Sequence, residues 1–178
     1  QYIAPETFRN CEQLKTFYIG KAFRGKINYG EEGDPDTLFL YYAPIRLIQI
    51  DKENTSYQLQ NEILYTRDGH ILCQALKNDN ADSQLTIPSC VTEIADGAFY
   101  RNSEFGAIEV KGSLERIGIS AFACADVGSF YVKGGVNYLD RGSFYQSAIS
   151  EWRCHGGVKK YEKSAFQDVD ATNGYAID

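Results

Sequence analysis

The dipeptides Ala98-Phe99, Ala121-Phe122, Ser143-Phe144 and Ala165-Phe166 recur at steps of 23, 22 and 22 residues. A fixed step of that size restricts a chain to a stacked architecture more tightly than any composition does. Other apolar positions keep the same step. The columns are Leu85, Ile108, Phe130, Trp152; Ile87, Val110, Val132, Cys154; Val91, Leu114, Val136, Val158; and Ile94, Ile117, Leu139, Tyr161. Each unit carries an apolar-x-apolar pair such as Phe130 and Val132. Its period of two puts both side chains on one face of a short strand. A unit of about 22 residues cannot bury such a row alone, but stacked neighbours turn rows into columns and the columns into one core. The expected fold is a parallel β-solenoid in which the repeated Phe belongs to the core. Gly112, Gly134, Gly135, Gly156 and Gly157 fall just after the strand, where the chain must turn and positive φ suits Gly.

Residues 1–178 are expected to form a single domain, long enough to bury a sizeable core. Thr7-Phe8 with Phe17 and Ile19 fits the repeat frame as a partial repeat at 1–19, so the chain is expected to start within a repeat of a longer array. An insertion at 20–46 breaks the period with the acidic run Gly30 to Asp36 and the aromatic run Phe39-Leu40-Tyr41-Tyr42. The acidic part is expected to be a solvated loop and the aromatic part to pack back on the stack. The unit at 47–84 carries Glu62-Ile63-Leu64-Tyr65 and His70-Ile71-Leu72-Cys73 around Thr66-Arg67-Asp68-Gly69, a hairpin signal that reads as a decoration on the stack. Lys77 to Ser83 reads as a connecting loop. Regular repeats follow over 85–169, with a C-terminal cap or tail at 170–178.

The string Leu85-Thr86-Ile87-Pro88-Ser89-Cys90-Val91-Thr92-Glu93-Ile94-Ala95-Asp96-Gly97-Ala98-Phe99 resembles the BspA-like leucine-rich repeat, and the hairpin unit from Ile50-Asp51 through Asp68-Gly69 to Leu72 is similar to one that precedes such repeats in that family. The departures are Cys154 in the strand column, Ser143 in place of Ala, and the insertion at 20–46. The resemblance implies a leucine-rich-repeat solenoid with a parallel β-sheet on the concave side and short extended or 3-10 segments on the convex side. It also implies an extracellular or cell-surface bacterial protein of adhesion type that binds a protein or glycan, host-derived ligands included, rather than catalysing a reaction. Fold alone does not fix function. A structural spacer in a larger surface protein, or a glycan-active enzyme with a site at the 20–46 insertion, are the alternative readings.

With 18 Lys and Arg against 24 Asp and Glu, the chain lacks the cationic surplus that a nucleic-acid groove needs, so no nucleic-acid partner is expected. No stretch reaches 18 uncharged apolar residues, so no membrane span is expected. Neither end shows a basic start followed by an apolar run, and the chain opens on Gln1, so any export signal is read as already removed. The sequence contains no G-x-S-x-G, no G-x-x-x-x-G-K and no H-E-x-x-H. Cys11, Cys73, Cys90, Cys124 and Cys154 show no C-x-x-C spacing, so buried free thiols are the expected reading, with a Cys73 to Cys90 bridge as a minor alternative. Cys154 and His155 are adjacent on a strand and point to opposite faces, which argues against a nucleophilic dyad. His70, beside the hairpin turn, reads as solvated. Glu31, Glu32, Asp34 and Asp36 offer oxygen ligands, but not in the order of a calcium loop. No catalytic residue, metal site or cofactor is therefore expected.

The remaining candidate is the outward face of the strands. If Phe130 and Val132 point inward, Ser129, Tyr131 and Lys133 point outward. Carried across the frame, one outward column reads Tyr18, Gln49, Thr86, Glu109, Tyr131, Arg153 and the next Gly20, Asp51, Pro88, Lys111, Lys133, His155. Tyr131, Arg153, Lys133, His155, Lys111 and Glu109 are the expected partner-binding residues, because Tyr and Arg combine large contact area with directional hydrogen bonds.

Overall fold

The computed structural model describes Phe8 and residues 11–27, 45–76 and 83–170, with the backbone alone at 103 and 104. The acidic run, the aromatic run Phe39 to Tyr42, residues 77–82 and residues 171–178 lie outside the described residues. Each regular coil contributes one long and one short strand: β6 (Ser83–Ile87) with β7 (Glu93–Ile94), β8 (Ser103–Val110) with β9 (Leu114–Ile117), β10 (Asp126–Val132) with β11 (Val136–Leu139), and β12 (Ala148–Cys154) with β13 (Val158–Tyr161). The long strands form a parallel sheet in the order β12-β10-β8-β6. Its register runs Leu85, Ile108, Phe130, Trp152 and Ile87, Val110, Val132, Cys154, the columns set by the repeat. The second face of the solenoid, left open between extended and 3-10 segments, is a sheet: the described residues contain no helix, and the short strands pair in parallel.

Strands in register lie about 4.8 Å apart, so like side chains in successive coils are forced into stacks. Phe99, Phe122, Phe144 and Phe166 stack with centroid spacings of 4.6, 5.0 and 5.2 Å and interplanar angles under 10°. Phe130 and Trp152 make a second stack at 4.9 Å that meets the first edge-on. Behind each repeated Phe the chain turns through a positive φ at Arg101, Cys124, Gln146 and Asp168. Hydrogen bonds between coils impose that turn: Arg101 N donates to Ala123 O, Cys124 N to Tyr145 O and Gln146 N to Gln167 O. Ser143, which stands where the other regular coils have Ala, is fully buried and its hydroxyl has no partner. A buried unsatisfied hydroxyl costs about 1 kcal/mol or more, so Ser143→Ala is expected to raise stability by about 1 kcal/mol in urea denaturation, and an unchanged or lower midpoint would refute that accounting.

The hairpin is not a decoration. β4 (Ile63–Thr66) and β5 (Ile71–Ala75) pair antiparallel around a turn in which Gly69 has φ 77°, and Asp68 Oδ1 accepts from Thr66 Oγ1 and His70 N. With β3 (Tyr57–Gln60) they extend the short-strand sheet to seven strands, β5 pairing with β7 in parallel. Both of its faces are apolar. Ile63, Tyr65, Leu72 and Ala75 enter the main core with the Phe stack, while Leu64, Cys73 and Leu76 enter a second core with Ile19, Ile27, Ile45, Ile48 and Tyr57. The hairpin is thus a partition between two cores. Towards the N-terminus, β1 (Thr16–Ile19) pairs in parallel with β2 (Leu47–Ile50) as a separate two-stranded sheet.

Candidate functional site

Registration of β6, β8, β10 and β12 places Thr86, Glu109, Tyr131 and Arg153 side by side in one row on the solvent side of the long-strand sheet. Lys111, Lys133 and His155 follow at the ends of those strands, anchored by Lys111 N to Ile87 O, Lys133 N to Val110 O and His155 N to Val132 O. All six expected residues therefore share one face. The Glu109 carboxylate bridges Lys111 at 2.5 Å and Lys133 at 3.2 Å. The hydrogen bond from Lys111 and then that from Lys133 hold its pKa below the ordinary carboxylate range, and Glu109 in turn raises that of Lys133. The Tyr131 ring meets His155 edge-on at 5.3 Å. Arg153 bonds Glu151 at 2.5 Å. Glu151 was not singled out from the sequence, although it lies two residues before Arg153 and hence on the same face.

The column does not run the length of the chain as expected. Tyr18 and Gln49 sit on the β1-β2 sheet, which does not pair with β6. The hairpin, packed on both faces, stands between the cores of the two sheets. Tyr18 instead donates its hydroxyl to Asp51 at 2.9 Å.

The solvent side of the short-strand sheet is also charged, but its groups are committed to each other. Arg116 on β9 reaches Glu93 at 2.9 Å, Asp96 at 2.5 Å and Asp140 at 2.9 Å. Burial opposes the guanidinium's charge, yet the attraction and hydrogen bonds of Asp96 and Asp140 outweigh it and raise the Arg116 pKa further above its already high range. Gly118 makes this possible: a Cβ there would lie 2.3 Å from Asp96 Oδ1. Tyr138 donates to Glu162 at 2.7 Å, and Lys160 lies over the Tyr138 ring. Side-chain exposure is 3% to 25% across the Arg116 cluster, against 38%, 49% and 68% for Lys111, Lys133 and Arg153. Lys111, Lys133 and Arg153 are thus more exposed than the Arg116 cluster, each paired with Glu109 or Glu151 on its own face.

The five cysteines are free. Burial is the rule only for Cys73, whose thiol pKa is pushed up to about 12 by that burial; Cys90 is exposed beside the hairpin turn, and the other three are half-buried. Cys154 Sγ donates inward to Gly157 O and Gly134 O while His155 packs on Tyr131 outside, so the two side chains diverge. His70 is exposed, with Nδ1 3.0 Å from Cys90 O. Among the described residues no group of three or more His, Cys, Asp or Glu side chains is placed to hold a metal ion, and no helix is long and apolar enough to cross a membrane.

Coils of one long and one short strand, stacked on aligned aliphatic and aromatic columns, define a leucine-rich-repeat solenoid. The chain belongs to the BspA type leucine rich repeat family, whose repeat it matches in six copies over residues 47–173. No curated protein matches it. Its fold is similar to that of the pneumococcal vaccine antigen PcpA, with a TM-score of 0.61 at 16% identity over 85% of this chain and 46% of that one. A leucine-rich repeat protein from Eubacterium ventriosum aligns over 91% of this chain and 60% of its own at 13% identity and a TM-score of 0.39. The chain spans about half the length of the solved structures it matches.

Proposed function

We propose that this chain is a non-enzymatic binding module of an exported or cell-surface repeat protein, and that it holds a protein or glycan partner on the solvent side of its long-strand sheet. The observation that carries the reading is the row formed by Glu109, Tyr131 and Arg153 with Lys111, Lys133 and His155 across three hydrogen-bonded strands. A site on a rigid sheet loses little conformational entropy when it binds, and Tyr and Arg are the side chains that most often carry interface energy. The likeness in fold to a vaccine antigen agrees with placement outside the cell.

A binding screen of the chain against extracellular-matrix proteins and a glycan array tests the proposal, with the Tyr131→Ala, Arg153→Ala double variant beside it. Saturable binding that falls at least about tenfold in the variant is expected, since two interface anchors at about 1 kcal/mol or more each are removed. Thermal stability should stay within about 1 kcal/mol of the parent, because Arg153 is exposed and Tyr131, half-buried, stands on the solvent side of the sheet against His155. Binding that survives the double substitution moves the site elsewhere, and the absence of any saturable partner favours a spacer.

A further inference from the structure

The N-terminal unit carries a second surface, separate from the long-strand face and independent of the function proposed for it. Among the described residues β2 pairs only with β1, and β3 only with β4. Alternate residues of a strand direct their N–H and C=O groups to opposite edges. Leu47 N donates to Lys15 O and Asp51 N to Ile19 O, so Ile48 and Ile50 turn their backbone groups away from β1. Arg67 N donates to Ser56 O, which turns the even-numbered residues of β3 toward β4 and leaves Tyr57 and Leu59 on the other edge. Tyr57 N–H is already given to Asn54 Oδ1 at 2.9 Å. The backbone of Leu59 is claimed by no strand.

These two open edges face one cleft. It measures about 590 Å³ and is walled by Ile48, Gln49, Ile50, Asp51 and Lys52 on one side and by Tyr57 to Gln60 on the other, with Arg67 at its rim. The cleft is shallow and open to solvent, a shape that suits an extended chain better than an enclosed small molecule. Unpaired backbone groups at a sheet edge are a template for another extended chain. The side chains narrow the choice of occupant. Leu59 is a large apolar side chain, 36% exposed, on the open strand. Among the described residues Lys52 and Arg67 are exposed and make no ion pair, whereas Lys21 is paired with Glu53, and the Asp51 carboxylate accepts from the Tyr18 hydroxyl and Glu53 N. The rim therefore offers two uncommitted cations beside an apolar edge.

We propose that this cleft takes up an extended polypeptide segment of alternating apolar and acidic residues as an added strand along β3. The segment's backbone pairs with the N–H and C=O of Leu59, its apolar side chains cover Leu59, and its carboxylates reach Arg67 and Lys52. Recognition of this kind draws affinity from main-chain hydrogen bonds and selectivity from the alternate side chains.

The test is an amide-resolved NMR titration of the whole chain with a capped nonapeptide of alternating Asp or Thr and Val. Two control peptides accompany it, one with proline at the centre, which cannot add a strand, and one with Lys in place of Asp. Saturable shifts at Ile48, Ile50, Leu59 and Arg67 are expected, with a Kd below about 1 mM. Leu59→Pro removes only the outward-facing N–H and keeps the bonds to β4, so it should weaken binding at least about tenfold. Arg67→Glu, an exposed change that tests the site even if Leu59→Pro unfolds, should weaken it about fivefold and remove its preference for the acidic peptide. The Tyr131→Ala, Arg153→Ala protein should bind the peptide as the parent does, which separates this cleft from the long-strand face. The proposal is overturned by the absence of saturation at 1 mM peptide, by equal binding of the proline control, or by indifference to both cleft variants. It is also overturned if the same amides shift on raising protein concentration alone, because the occupant is then a second copy of this chain.

Discussion

Phe122→Ala is expected to cost about 3–5 kcal/mol in urea or guanidinium unfolding, the range for truncating a large buried aromatic. Phe122 sits inside the ladder with a ring on each side, Phe99 at 4.6 Å and Phe144 at 5.0 Å, and meets Phe130 edge-on. Its side chain is fully buried, so the truncation removes apolar burial, two stacked partners and one edge contact at once, and the neighbouring coils cannot collapse into the space without losing register. Phe166→Ala provides the internal comparison. Phe166 closes the described ladder, stacks on Phe144, meets Trp152 edge-on and is only half-buried, so its loss should cost less. Equal effects at the two positions would mean that the ladder does not behave as a chain of nearest-neighbour contacts, contrary to the usual energetics of a solenoid. A small effect at Phe122 would mean that the ring stack is dispensable.

The same ladder shows what could be read in the residues and what could not. A column that repeats at a fixed step reports burial directly, because only a core position restricts residue type in every coil; the register of Leu85, Ile108, Phe130 and Trp152 follows from that column alone. The recurrent positive φ left no such mark. Arg101, Cys124, Gln146 and Asp168 share no chemistry; at the first three the backbone N–H is held by a carbonyl of the next coil, whatever the side chain. The hairpin's turn was legible because Asp-Gly specifies a local geometry, but its role was not. Leu64 and Cys73 face one core, Tyr65 and Leu72 the other, and an apolar residue at every position loses the period-two signal that would assign a face.

The candidate site divides along the same line. Glu109, Tyr131 and Arg153 came from period and register, which are properties of the chain. Glu109 bridging two lysines and Arg153 turning to Glu151 depend on side-chain reach across and along strands, which no column encodes. The break of the outward column at β6 followed from the partition, itself hidden in the hairpin's doubly apolar strands.

Arg116→Met should destabilise the chain by about 3 kcal/mol, toward the lower end of the range for breaking a buried ion pair because the guanidinium keeps 25% exposure. Methionine preserves much of the aliphatic stem's packing, so the loss reports on charge and hydrogen bonding. Without the guanidinium, Glu93 and Asp96 from one coil and Asp140 from the second coil after it are left facing one another, and Asp96, 3% exposed, has little access to solvent. It would retain the hydrogen bond from Ile119 N at 2.8 Å. A double-substitution cycle separates repulsion from lost packing. Asp96→Asn in the Arg116→Met background should recover about 1 kcal/mol or more, because an amide can still accept from Ile119 N without carrying charge, whereas Asp96→Asn alone should be destabilising. If the two substitutions were simply additive, the cluster would be a set of separate surface pairs. Coupling of 1 kcal/mol or more would make it a staple across three coils, with the charges of this face spent on holding successive coils together.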